Sequence, residues 1–194
     1  MQAAGGAALS ETAQRRASAR AVAVLAGLAG GVVLLDQITK QLTVAHLAGA
    51  EPVELLGGAV YLVHTTNSGA AFGLGRSYTY LFAVIALAVI GWIAWMARRL
   101  RALPWAVALG LLAAGAAGNL LDRLFREPGP LRGRVVDMIS VFAPDGSVFP
   151  VFNVADSALT VGVVLALWLE LTGRHRDGTR TQRSGAATEA VDGQ

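Results

Sequence analysis

Two aspartates sit at the edges of apolar segments late in the chain. Asp137 follows the β-branched pair Val135-Val136, and Asp156 falls in the first turn of a helix opened by Asn153. Asp145-Gly146 lies between them as a turn signal, so the connection can double back and bring the two carboxylates face to face. Ionisable groups at membrane depth are costly, which makes them functional suspects by default. Two carboxylates in a poorly hydrated site cannot both ionise, so they share a proton. The ionised one can take a proton from an attacking water while the protonated one donates to a scissile carbonyl oxygen. The helix dipole makes Asp156 the expected ionised partner, and Asn153 can cap that helix and orient Asp156. The residues point to an aspartate-dyad peptidase in a membrane. The plainer alternative is a pair of ordinary loop and helix-cap carboxylates.

Other catalytic chemistries find less support. A serine–lysine dyad would have to use Lys40, the single lysine, with Ser68 or Ser157 as nucleophile. Asp36 lies one helical turn before Lys40 in the favourable acid-first order, and this engagement leaves Lys40 unsuited as a base. There is no cysteine, which excludes disulfides, thiol nucleophiles and cysteine-ligated metals. No H-E-x-x-H occurs, and His46, His64 and His175 are scattered, so no metal site and no cofactor is expected.

The elements that must position these residues read as membrane spans. The chain of 194 residues is 54% hydrophobic and only 15% charged, with a mean hydropathy of +0.53. A soluble domain carries roughly a quarter charged residues. Apolar runs predict spans at about 20–36, 78–97, 103–121 and 154–171 within one membrane domain, 19–172. Polar stretches at 1–18 and 173–194 read as disordered tails. The first run, behind Arg15, Arg16 and Arg20, also fits a cleaved signal peptide. It lacks a small-residue cleavage site at its end and continues into Asp36-Gln37-Ile38-Thr39-Lys40, which favours a retained helix. Between spans one and two, Val53–Leu56 and Ala59–Thr66 read as two short strands around Gly57-Gly58, a small β element outside the membrane. The fold class expected is mainly α, integral to a membrane, with four helices and that β element.

Four spans place both termini on one side. Ten arginines fall there, at positions 15, 16, 20, 98, 99, 101, 174, 176, 180 and 183, against six basic residues opposite: Lys40, Arg76, Arg123, Arg126, Arg132 and Arg134. The positive-inside rule puts the tails in the cytoplasm. The basic residues cluster at the ends of apolar runs, which speaks for membrane topology rather than a nucleic-acid partner. Asp36, Lys40, Asn67, Asn119, Arg123, Asp137, Asn153 and Asp156 then all fall on the outer side. A proton-coupled carrier would explain intramembrane acids but not their placement on one face. An assembly factor would tolerate loss of either aspartate.

Five motifs in order, DQITK at 36–40, NSGAAFG at 67–73, GNLLDR at 118–123, VVDMI at 135–139 and FNVADSA at 152–158, carry a family likeness. The chain resembles the bacterial lipoprotein signal peptidases (signal peptidase II) from about Arg20 to Leu171. The resemblance implies a membrane aspartic endopeptidase of the bacterial inner membrane, working without a cofactor. Such enzymes cut the signal peptide from prolipoproteins just before a cysteine carrying a diacylglyceryl group. It places the catalytic dyad on Asp137 and Asp156 and supporting roles on Asp36, Lys40, Asn67, Asn119, Arg123 and Asn153. It implies a four-helix bundle with a small extracytoplasmic β-cradle. The partners implied are lipidated prolipoproteins and membrane phospholipid, and nothing demands more than a monomer. The substrate's lipid holds its cysteine at the outer interface, where the dyad is expected, and so supplies orientation without a deep cleft.

Overall fold

The computed structural model describes residues 2–69 and 79–180, with side chains from 14 onward. Four helices carry the architecture: α1 (Gln2–Leu47), α2 (Thr79–Ala97), α3 (Leu103–Phe125) and α4 (Val154–Leu171). All four hold a stretch long and apolar enough to cross a membrane. α2 and α4 follow the apolar runs of the sequence from end to end. By contrast, α1 begins far ahead of 20 and runs past 36. Its leading stretch is rich in alanine, the residue with the highest helix propensity, so the backbone expected as a tail at 1–18 is helical from Gln2. The helix continues to Leu47, and Gly49, with φ +76°, ends it.

α3 is the centre of the bundle. Its apolar window is 61% buried, against 17–22% for the other three. Lipid removes the hydrophobic drive between helices, so close packing through small residues must replace it. A Cβ on Gly115 would come within 2.5 Å of the Ala155 carbonyl oxygen and 2.8 Å of Leu159 Cβ. No side chain fits there, and α3 and α4 touch backbone to backbone. At the end of the bundle holding the α2–α3 turn, Ala21, Ile93, Leu100, Trp105, Leu109 and Leu169 form the buried apolar core.

The opposite end carries an antiparallel sheet in the order β1 (Val53–Leu55), β2 (Val60–Asn67), β3 (Val135–Val141). The two early strands match the expected pair between helices one and two. The third strand comes from between α3 and α4, so the sheet draws on both connections at this end rather than one. A bulge separates the Leu62–Ile139 pair from the Thr65–Asp137 pair, with β2 using one residue more than β3. Opposed residues share a face, so Thr65 and, two positions on, Asn67 lie on the face of Asp137.

The chain end also differs from expectation. Residues 173–180, read as the start of a disordered tail, form a small hairpin in which Arg174 bridges to Arg180. Gly173 and Gly178 adopt the positive φ values that its turns require. The N–H groups of Arg101 and Ala102 both donate to the Arg176 carbonyl, and Trp105 Nε1 donates to the Arg174 carbonyl at 2.7 Å. These bonds pin the hairpin beneath the α2–α3 turn.

Candidate active site

The site begins with how the chain returns after β3. Asp145 Oδ1 accepts the N–H of Ser147, and Gly146 has φ +73°, so the chain reverses at the expected turn. Phe152 then pairs with Ile139, donating to its carbonyl at 3.0 Å and accepting from its N–H at 2.8 Å. That pairing sets the next residue, Asn153, beside β3 and opens α4. Asn153 and Asp156 form a reciprocal capping box: Asp156 N–H donates to Asn153 Oδ1 at 2.9 Å, and Asn153 N–H donates to Asp156 Oδ2 at 3.2 Å.

The cap fixes which way the Asn153 amide points. Its oxygen is taken by the Asp156 N–H, so its NH2 faces away and donates to Asp137 Oδ1 at 2.7 Å. One fully buried residue thus contacts both carboxylates, Asp137 through its side-chain amide and Asp156 through its backbone N–H. The same logic orients Asn119 on α3. Lys40 Nζ donates to Asn119 Oδ1 at 3.1 Å, which turns the amide nitrogen toward Asp156 Oδ1, where it donates at 2.7 Å.

Beneath these amides lies a buried charge network. Lys40 Nζ contacts Asp36 Oδ2 at 2.8 Å and Asp122 Oδ2 at 2.9 Å, in addition to Asn119. Its three donors are therefore all engaged, which removes it as a base for Ser68 or Ser157. Ser157 Oγ donates in any case to the Asn153 carbonyl. Asp36 Oδ1 accepts the N–H of Ala155, and Asp122 also accepts from Arg126 Nε at 2.7 Å and from Val136 N–H at 3.2 Å. Charges taken out of water are tolerable only when paired and hydrogen-bonded in this way.

Asn67, Asn119, Arg123, Asp137 and Asp156 line one cavity of about 560 Å³. Asp36, Lys40 and Asn153 lie behind its wall as supports. Arg123 spans the bundle, with Nη1 donating to the Asn119 carbonyl, Nη2 donating to the Gly69 carbonyl, and its guanidinium 5.7 Å from the Phe82 ring. The rest of the lining is apolar: Phe149, Pro150, Val151, Phe152, Leu159 and Val161. Residues 70–78 of the NSGAAFG motif and the loop after it lie outside the described residues. Among those described, no cluster of histidine and acidic side chains could hold a metal ion.

Burial, and next the charge of Asp156, pushes the Asp137 carboxyl up to about 7; hydrogen bonds from Asn153 and Asn67 oppose the rise. Burial and a neighbouring negative charge both disfavour the ionised form of a carboxyl.

Two features escaped the sequence reading. Asp122 is buried and joins α1, α3 and β3, and its i, i+4 spacing to Arg126 was the available signal. The 149–152 wall was legible only as an apolar run beside a proline.

The family described as signal peptidase (SPase) II matches residues 28–172. The chain belongs to the signal peptidase II family. It is 49% identical over 166 residues to the lipoprotein signal peptidase of Streptomyces coelicolor, covering 86% of this chain and 79% of that one. With the lipoprotein signal peptidase of Mycolicibacterium smegmatis the identity is 42% over 179 residues, covering 89% and 74%. A bacterial membrane enzyme solved by the in meso method at 1.9 Å superposes with a TM-score of 0.62 at 32% identity, over 74% of this chain and 90% of that one. A second such structure, at 2.3 Å, gives 0.63 at 32% identity, over 74% and 85%. As a member of this family the chain is a membrane-embedded peptidase.

Proposed function

We propose that this protein removes signal peptides from diacylglyceryl-modified prolipoproteins, cutting just before the lipidated cysteine with a water activated by Asp137 and Asp156. The observation that carries the reading is the shared cavity: two carboxylates, bridged by Asn153, face an apolar wall at the end of a membrane bundle. Both Asp156 oxygens accept N–H groups, from Asn119 and from the Asn153 backbone, which is the hydrogen-bonding role of a carboxylate. In this mechanism Asp156 takes the proton from the attacking water. Asp137, which holds its proton up to about pH 7, donates to the carbonyl oxygen.

The lining supports the substrate class. Phe149, Val151, Leu159 and Val161 offer apolar surface to a diacylglyceryl group, and Asn67 and Arg123 offer polar groups to an extended peptide. The lipid keeps the cysteine at the interface, so that much of the positioning precedes the chemistry. The excess of arginines at the end bearing the α2–α3 turn supports cytoplasmic termini and an outward-facing site.

The test is cleavage of a diacylglyceryl-modified prolipoprotein in membranes, comparing the parent with Asp137→Asn and Asp156→Asn at matched expression. Both variants should insert and yield no lower-mass product. Cleavage by either single variant would exclude the shared-proton dyad.

A further inference from the structure

The end of the bundle away from the dyad holds a second cavity, of about 430 Å³, walled by Trp95, Met96, Arg99, His175, Arg176, Asp177 and Thr179. It exists because the 173–180 hairpin folds back under the α2–α3 turn. That fold gathers Arg98, Arg99 and Arg101 from the turn with Arg174, Arg176 and Arg180 from the hairpin. The described ion pairs all lie at the other end of the molecule, so among the described residues none of these six arginines is neutralised by an acid. The one acid in the cavity wall, Asp177, is turned onto its own hairpin, accepting from the Thr179 N–H at 2.9 Å and its hydroxyl at 2.7 Å.

Aromatic side chains hold the arginines in place. Arg174 stacks on Trp168 at 4.8 Å and Arg176 on Trp105 at 5.3 Å. Trp92 and Trp95, 52% and 58% exposed, face outward from the last turns of α2. All four tryptophans of the chain are therefore at this end. Tryptophan belongs at the depth of lipid headgroups, and basic pockets between membrane helices suit the phosphate of an anionic lipid.

We propose that this cavity is a binding site for the headgroup of an anionic glycerophospholipid, with Arg99 and Arg176 facing the phosphate and the acyl chains lying along Trp92 and Trp95. The site is separate from the cleavage cavity, and its test reads no cleavage.

The protein in nanodiscs supplies its own reporter. A lipid with bromine on its acyl chains quenches tryptophan fluorescence on contact, and Trp95 lies in the cavity wall with exposed Trp92 one turn away. Dibrominated phosphatidylglycerol diluted in phosphatidylcholine is compared with dibrominated phosphatidylcholine diluted in phosphatidylglycerol at the same mole fraction. The expected result is stronger quenching by the anionic lipid, equivalent to an enrichment of about fivefold or more for one arginine contact. Arg99→Gln should bring that ratio close to one. Arg98→Gln, on the same turn but outside the cavity wall, should leave most of it. Unchanged tryptophan emission in nanodiscs without brominated lipid shows that each variant is folded. Equal quenching by the two lipids in the parent would overturn the proposal. Equal loss in both variants would overturn it too, since the effect would then belong to diffuse surface charge. Retention of the full ratio in Arg99→Gln would do the same.

Discussion

The Asp36 carboxylate on α1 accepts the backbone N–H of Ala155 on α4, at 2.9 Å. The first and last helices are thus joined one residue before Asp156, at a helix N-terminus that would otherwise leave a buried donor unpaired. Its other oxygen holds Lys40. Removing Asp36 breaks both links and leaves the buried ammonium with the Asp122 carboxylate and the Asn119 amide oxygen. Asp36→Ala should cost about 3–5 kcal/mol, as is usual when one partner of a buried pair is deleted. Unfolding in mixed micelles measures it, and a loss below 1 kcal/mol would mean that the network is not stabilising.

The cavity carboxyl gives a pH dependence with a definite sign. The Asp137 carboxyl is pushed up from its ordinary 3.8 to about 7, by burial first and the Asp156 charge second. Between those values the folded protein holds a proton that the unfolded chain has lost. Stability is therefore fullest below about pH 4 and is lost as pH rises through 7, by roughly 4 kcal/mol for this group. Activity should follow the same protonation, with kcat/KM falling above about pH 7 as the shared proton leaves. Asp156→Asn should move the Asp137 carboxyl stretch, read by infrared titration, to lower pH. An unmoved titration would remove Asp156 as a cause.

Asn153 separates capping from catalysis. Asn153→Ser keeps an oxygen for the Asp156 N–H but loses the NH2 that holds Asp137. Its stability should stay within about 1 kcal/mol of the parent, whereas Asn153→Ala should lose about 1–2 kcal/mol. Both should lower kcat about 100-fold through misplacement of the dyad. A fully active Asn153→Ser would show that its contact with Asp137 is dispensable.

Helix approach should be equally sensitive. A Cβ on Gly118 would lie 2.6 Å from Asp36 Oδ2 and 2.9 Å from Ala155 Cβ. Gly118→Ala should therefore destabilise by about 1–3 kcal/mol and weaken the link between Asp36 and Ala155. The melting temperature of the variant in detergent checks it, and no drop would mean that α3 can slide.

The spans and the turn at Asp145-Gly146 were legible because lipid demands long apolar helices and a reversal demands its own residue types. Other features depend on pairings that a local pattern does not encode. Strict alternation from Leu62 would put Thr66, not Asn67, on the face of Asp137; the bulge reverses that parity. Val135–Val141 joins β2 across more than sixty residues, so its role as the third strand was hidden. The 173–180 hairpin is held by Trp105 and the α2–α3 turn, and it therefore looked like tail. For the eight candidate residues, type and order along the chain sufficed to suggest a common locus. The division into cavity-lining residues and supports behind the wall needed coordinates.

The Lys40 network also sets a timetable. Lys40 waits 79 residues for Asn119, and Asp36 waits 119 for Ala155. At a synthesis rate of about 5–20 residues per second, those partners arrive roughly 4–24 s after the first helix has emerged. During that interval an ammonium and a carboxylate one turn apart have only each other and the lipid headgroups. A half-made chain is therefore held with the far end of its first helix at the water boundary until α3 and α4 arrive. The cavity is complete only once α4, which carries Asp156, has joined the bundle.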